Sequence, residues 1–494
     1  MSRLPRPIAP RTPAPRMPEE NPVNEKPSAG LNRRSLLRGG LGALGAGVLG
    51  AGVLRPSMAG AAFVRPVPLE VNNPAAARWA HLAATDGWAT MPGAKTRPPF
   101  WPDPLAPSPY NTYVFGFRDV APLFELDGAG NRVVGTDGYP VITPANQAKL
   151  DALKGKAQIS APIYTFKQDD EVRISLDNLG LLIRPDLVDG HTMHWHGFNN
   201  AIPLFDGVPE LSVAVPIGRR FVYEYRPRDA GTYMYHCHFE DVEHVQMGMT
   251  GILYVRPAQN GEPIAHEGDT FTRFAYNCGD GSTGYHREYS FLLTELWPEA
   301  HYRDAHIQVT DWTDFNAAFW LLNGRAYPDT VEPGSSWNAG EADLDSAAGR
   351  LRYNPNSSLV RANAGERVLL RMSNLGYQVH TMTLEGAAMR VVAKDASLLR
   401  GKQTGGGSVD LSYQTSGVEI GPGESRDVLF RAPAYTTVGS KTDSVGDYNT
   451  YLLYDRNFSM RNNNGAAGNG GQMTEVRVYS GSPLGAQSLD VPNS

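Results

Sequence analysis

Cysteine is nearly absent from this chain: 494 residues contain two, Cys237 and Cys278. They can form one disulfide at most, which excludes a disulfide-stapled scaffold. Excess positive charge is missing too. With 45 Lys and Arg against 51 Asp and Glu the net charge is −6, so no basic surface for nucleic acid is expected. Long apolar runs are also lacking. The stretch 39–54 is short and Gly-rich, below what a bilayer-spanning helix requires. What abounds is Gly and Pro, 52 and 38 residues, between short alternating runs. That pattern favours an all-β architecture in a chain long enough for two or three domains.

The first 30 residues are Pro-rich and polar, a composition that favours disorder. "NRRSLLRGGLGALGAGVLGAGVL" follows, and its Arg33-Arg34 pair resembles a bacterial twin-arginine signal. "MAGAA" (58–62) offers a small-residue cleavage site after Ala61. The expectation is a disordered n-region and signal peptide over 1–61 and an N-terminal extension over 62–104. The protein is then periplasmic or secreted. The other reading of this segment is a membrane anchor.

Strand-like runs occupy 110–120, 163–180, 219–238 and 251–257, then 287–297, 359–376, 418–433, 451–457 and 475–480. They predict a first β-sandwich over 105–257, a linker over 258–286, a second sandwich over 287–482 and a tail over 483–494. The two units read as one repeat. "NLG" (178–180) precedes "HTMHWHG" (191–197), and "NLG" (374–376) precedes "HTMTLEG" (380–386). Each unit then has a Tyr-rich strand after a Gly turn, "GTYMYHCH" in the first and "GDYNTYLLYD" in the second.

The first unit concentrates metal donors. On strands, side chains alternate between faces, so His194 and His196 share one face, as do His236 and His238. Two such pairs on neighbouring strands make a four-imidazole patch. Cys237 faces the other way, where His191, His244 and Met249 can converge on it. A thiolate, two imidazoles and a weak thioether are the ligand set of a blue-copper electron-transfer site. Imidazoles suit further copper ions that meet an acceptor. Cys237, between His236 and His238, links the two sets.

These residues resemble the multicopper oxidases, whose blue-copper domain reads H-x-x-H-x-H, then H-C-H, a further His and an axial Met. The resemblance covers 105–480 and implies two tandem cupredoxin-like Greek-key β-sandwiches. It implies His191, Cys237, His244 and Met249 as type 1 copper ligands. It implies His194, His196, His236 and His238 as ligands of a type 2/type 3 cluster, with copper as cofactor. The implied activity is oxidation of a small-molecule, metal-ion or protein electron donor, with dioxygen as acceptor. Two-domain relatives imply a homo-oligomer, a trimer.

The chain departs from the pattern in two places. His244 stands at a spacing of seven from Cys237 where five is usual, and Met247 competes with Met249 as axial ligand. In the second unit Thr383 and Glu385 stand at the places of His194 and His196, and "LLYD" replaces "YHCH". Only His380 survives, at the place of His191. A full trinuclear cluster uses eight histidines, four from a second domain, and this chain offers four. The site then binds fewer coppers, is completed by another chain, or keeps its imidazoles for structure. A copper nitrite reductase-like pairing of His196 and His236 with a neighbour's His380 is one alternative, although His194 stands where those enzymes carry a catalytic Asp. A non-enzymatic electron carrier is another.

Other polar residues have blander expectations. His380 is expected as a satisfied core histidine, and His266, His286, His301 and His306 as surface residues, with "HYRDAH" (301–306) as a weak metal site. Glu240, Asp241 and Glu243 read as a solvated loop or as a landing point for a cationic reductant. Asp206 is a candidate for proton delivery. Trp195 is expected in packing, and Cys278 as a spare thiol.

Overall fold

The computed structural model describes residues 77–493 apart from 94–95, 200, 335–348, 403–406 and 490–492. The signal-like segment and its cleavage site lie outside the described residues. Among the described residues no helix is long and apolar enough to cross a membrane.

Eight strands build the first sandwich: β1 (Arg78–Ala89), β2 (Thr112–Asp119), β3 (Tyr164–Lys167), β4 (Val172–Gly180), β5 (His194–His196), β6 (Arg219–Tyr225), β7 (Gly231–His236) and β8 (Thr250–Arg256). They pair in two four-stranded sheets, β2-β1-β4-β6 and β3-β8-β7-β5. Leu82, Phe115, Leu176, Trp195, Tyr235 and Leu253 fill the space between them. Burying each such side chain contributes about 1.5–3 kcal/mol.

β1 falls in the stretch expected as an N-terminal extension. It is a central strand, parallel to β4 on one side and antiparallel to β2 on the other. "RWAHLAATDGWA" is almost wholly buried on both faces, so it shows no polar/apolar alternation to read.

The second sandwich repeats the plan. Its strands are β9 (Arg287–Leu296), β10 (Phe319–Leu322), β11 (Val360–Asn363), β12 (Arg367–Asn374), β13 (His380–Leu384), β14 (Met389–Lys394), β15 (Val418–Ile420), β16 (Ser425–Arg431), β17 (Asp447–Asp455) and β18 (Met473–Tyr479). One sheet contains the order β10-β9-β12-β16, matching β2-β1-β4-β6, and the other contains β11-β18-β17-β13, matching β3-β8-β7-β5. The "NLG" motif has one job in both copies. The Asn178 side chain accepts from Gly180 N and donates to Val215 O, each at 2.8 Å. The Asn374 side chain accepts from Gly376 N at 2.8 Å and donates to Ile420 O at 3.0 Å.

The segment expected as a linker is structured. Ile264–His266 and Asp269–Phe271 pair as a short hairpin, and Ala275, Tyr276 and Tyr285 pack on Leu369 and Leu429. The two sandwiches meet along β7. Met234 packs on Leu292 and Leu375, and Thr232 donates to Asp427 at 2.5 Å. Behind them Arg371 lies fully buried, bonded to Glu288 at 3.0 Å and to Thr232 at 3.0 Å. Arg256 also pairs with Glu288. Buried charges persist only when paired in this way.

Candidate metal centre

Two donor sets lie back to back at the end of β7. The first surrounds Cys237, which is fully buried. Its Sγ is 3.2 Å from His244 Nδ1 and 3.9 Å from His191 Nδ1. The three ligand atoms lie within 4.8 Å of one another. Thr192 N points at the sulfur from 3.4 Å. Both histidines are fully buried, and the Phe115 and Phe239 rings flank His244 with centroids at 5.5 and 6.2 Å. Among the described residues no hydrogen-bond partner lies within 3.5 Å of His191 Nε2 or His244 Nε2.

Met249 is fully buried, and its carbonyl accepts from Cys237 N at 3.2 Å. Met247 closes a short helix, α1 (Asp241–Met247), which also carries His244. That helix accounts for the long Cys237–His244 spacing, since the segment read as an extended acidic loop winds through a helical turn. Gly248 ends it at a φ of 119°, and both Gly248 N and Met249 N return to His244 O at 3.2 and 2.9 Å. The turn locks His244 to Met249.

The second set is the four-imidazole patch. β5 pairs with β7 so that His194 faces His236. The His194 ring centroid is 5.7, 5.2 and 5.2 Å from those of His196, His236 and His238, and His236 is 5.5 Å from His238. Ligand atoms of His194, His196 and His236 lie within 4.8 Å of one another. Burial lowers the pKa of all three, that of His236 to about 3. Neutral imidazoles are the metal-binding form. Asp206 adjoins this set: its carbonyl accepts from His194 Nδ1 at 2.6 Å, and its carboxylate is 3.7 Å from the same nitrogen.

Asp189 escaped notice in the sequence. Its carboxylate is 3.7 Å from His244 Nε2, and Asp189, Glu240 and His244 form a third cluster of possible ligand atoms. Glu243 adjoins it, its pKa raised by burial. The available signal was the position of Asp189, two residues before His191. Trp195 sits in the core, stacked on Phe198 at 4.4 Å. Cys278 and Cys237 form no disulfide.

The second sandwich holds a copy of the thiolate pocket with different atoms. His380 pairs with Ile420 as His191 bridges to Val215. Thr383 pairs with Tyr454 as His194 pairs with His236. Asp455 therefore takes the place of Cys237, one residue off the "LLYD"/"YHCH" correspondence expected from sequence. Thr381 N points at the Asp455 carboxylate from 3.2 Å, and Asp455 N donates to Gln472 O at 2.9 Å, which puts Gln472 in the place of Met249. His380 is fully buried between Asp455 at 3.0 Å and Glu295 at 2.5 Å. Burial opposes its charging, but the two carboxylates outweigh that and raise its pKa to about 9. It is the satisfied core histidine expected, in charged form.

The expected surface position is corrected for His301. It is buried on the helix Pro298–Ala305 and bonded to Tyr113 O at 2.5 Å; burial lowers its pKa to about 4. His306 stacks on Tyr302 and pairs with Asp103 at 3.0 Å. Bound to these separate partners, the two histidines of "HYRDAH" do not form a metal site together.

The family model for multicopper oxidases matches residues 141–260, which include every donor of both sets. The match covers 120 of the 494 residues. The chain is similar to copper resistance protein A of Pseudomonas syringae pv. tomato, 32% identical over 303 residues, covering 58% of this chain and 44% of that protein. It is similar to multicopper oxidase MCE of Talaromyces pinophilus, 34% identical over 105 residues, covering 21% of this chain and 16% of that protein. The match spans less than half the length of either relative. Among solved structures, the blue copper oxidase of Nitrosomonas europaea is 19% identical with a TM-score of 0.49, covering 81% of this chain and 86% of that one. The segment matched by the family model starts after β2 and takes in β3 to β8 of the first sandwich.

Proposed function

We propose that the protein is an exported copper-dependent oxidoreductase of the multicopper oxidase type. One observation carries the reading: a buried thiolate–imidazole set and an imidazole set are joined through consecutive residues, His236, Cys237 and His238. The donors suit copper, since His191, Cys237 and His244 combine soft sulfur with imidazole and Met249 lies beside them. Copper held at the two sets supplies one-electron redox chemistry, with dioxygen as the acceptor at the imidazole set.

The chain's own groups do the rest. Phe115 and Phe239 keep water from His244. Asp189, 3.7 Å from His244 Nε2, and Glu240 make the outer approach acidic, which favours a cationic electron donor. Asp206 O fixes the His194 tautomer, so that Nε2 carries the lone pair, and the Asp206 carboxylate beside it is placed to pass protons. Export rests on the Arg33-Arg34 segment.

His194→Ala should abolish oxygen consumption while the visible copper–thiolate absorption persists. Loss of both would refute this division of ligands. A reductase-like site using a neighbour's His380 is disfavoured, because that ring is buried with both nitrogens engaged by carboxylates. An electron carrier would bind copper at Cys237 alone.

A further inference from the structure

Six of the chain's twelve histidines belong to the two donor sets. The other six are spoken for. His81 is buried against Phe124 and bonded to Ser175 at 2.7 Å, and His301 and His380 are buried as described. That leaves His266, His286 and His306. His286 Nδ1 accepts from Arg367 N at 2.9 Å, His266 Nδ1 lies 2.9 Å from Asp280 O, and His306 pairs with Asp103. None stands in an H-x-H pair. A second copy of this chain therefore cannot supply the four further imidazoles of an eight-histidine cluster.

The ring orientations indicate what the patch holds instead. His194 Nδ1 and His236 Nδ1 are held by the carbonyls of Asp206 and Cys237, at 2.6 and 2.9 Å, which leaves Nε2 free on each. His196 is turned the other way. Its ring bonds to the Gly423 backbone of the second sandwich, a residue whose Cβ, were there one, would meet His196 Nε2 at 3.3 Å. Its Nδ1 faces His236 Nε2 at 3.4 Å. Three lone pairs thus converge, each fixed from behind by a backbone group. His238 differs: its side chain is 30% exposed, and its Nδ1 lies 3.8 Å from the carboxylate of Asp241.

We propose that the patch is a self-contained one-copper site of His194, His196 and His236 within a single chain, with His238 at its rim, and that no homo-oligomer of this chain builds a trinuclear cluster. This rests on the copper-oxidoreductase reading and narrows it to two coppers per chain. It also removes the requirement for a trimer.

The test is copper per chain after loading the full-length protein and removing loose metal with a chelator, read by elemental analysis, EPR and sedimentation. The expected result is two coppers per chain in every oligomeric state. Cys237→Ser and His196→Ala should each keep one, the latter with the thiolate absorption intact, and His238→Ala should keep two. His236→Gln serves as a second variant should His196→Ala fold poorly, and should also keep one. Three or four coppers per chain, or loss of copper in His238→Ala equal to that in His196→Ala, overturns the proposal. One copper with thiolate absorption also overturns it while leaving the thiolate centre standing. One imidazole-bound copper without that absorption supports the patch and overturns the oxidoreductase reading instead.

Discussion

Raising the pH should unlock the second sandwich at His380. The imidazolium is fully buried between two carboxylates, so solvent does not screen it. A pKa raised from 6.5 to about 9 corresponds to about 3 kcal/mol, at about 1.4 kcal/mol per tenfold change. Because the folded-state pKa is the higher one, this stabilisation is complete below about pH 6.5 and is lost as the pH climbs through about 9. Denaturant unfolding of the metal-free protein across that window should show stability falling in the wild type. In His380→Gln the fall should be absent, and the variant should be about 3–5 kcal/mol less stable at neutral pH, because Glu295 and Asp455 lose their cation. Its copper content should equal that of the wild type. Parallel pH profiles for the two proteins would mean that His380 is not charged in the fold. Copper loss would mean that it is a ligand after all.

The acidic approach to His244 predicts that Asp189→Asn raises KM for a cationic donor by roughly tenfold at low salt and leaves a neutral phenol nearly unaffected; equal effects on both donors would refute the electrostatic role. Gly423 adopts a φ of +77° and abuts His196, so Gly423→Ala should alter the EPR signal of imidazole-bound copper and spare the thiolate absorption. An unchanged EPR signal would separate Gly423 from the site. Arg371→Met leaves the buried carboxylate of Asp427 without its cation and Glu288 with Arg256 alone, and should cost about 3–5 kcal/mol; a change below about 1 kcal/mol would show the network to be dispensable.

Much of the site was legible because strand geometry is simple. Alternation alone separates Cys237 from His236 and His238, and the repeated "NLG" and "HTM" segments reveal the two copies. What stayed hidden depends on tertiary context. β1 is buried on both faces, so its sequence offers no alternation. The helix carrying His244 is only seven residues long and opens with Asp241 and Glu243, so it reads as a loop. Asp189 matters only because the chain folds it over His244. His301 lies under Tyr113, and nothing in "HYRDAH" signals its burial. The one-residue offset between "LLYD" and "YHCH" is set by the pairing of β13 with β17, which sequence comparison does not see.

The duplicated pocket gives the molecule two answers to the same question. Where the first copy has a sulfur beside two imidazoles, the second has carboxylate oxygens closed around a protonated imidazole. The second sandwich therefore needs no metal to be finished, and it is the surface on which β7 lies. Through Leu292, Leu375 and Asp427 it grips the strand that leads into His236 and Cys237. The sandwich whose pocket is closed by charge thus braces the strand that ends in the donors of the other.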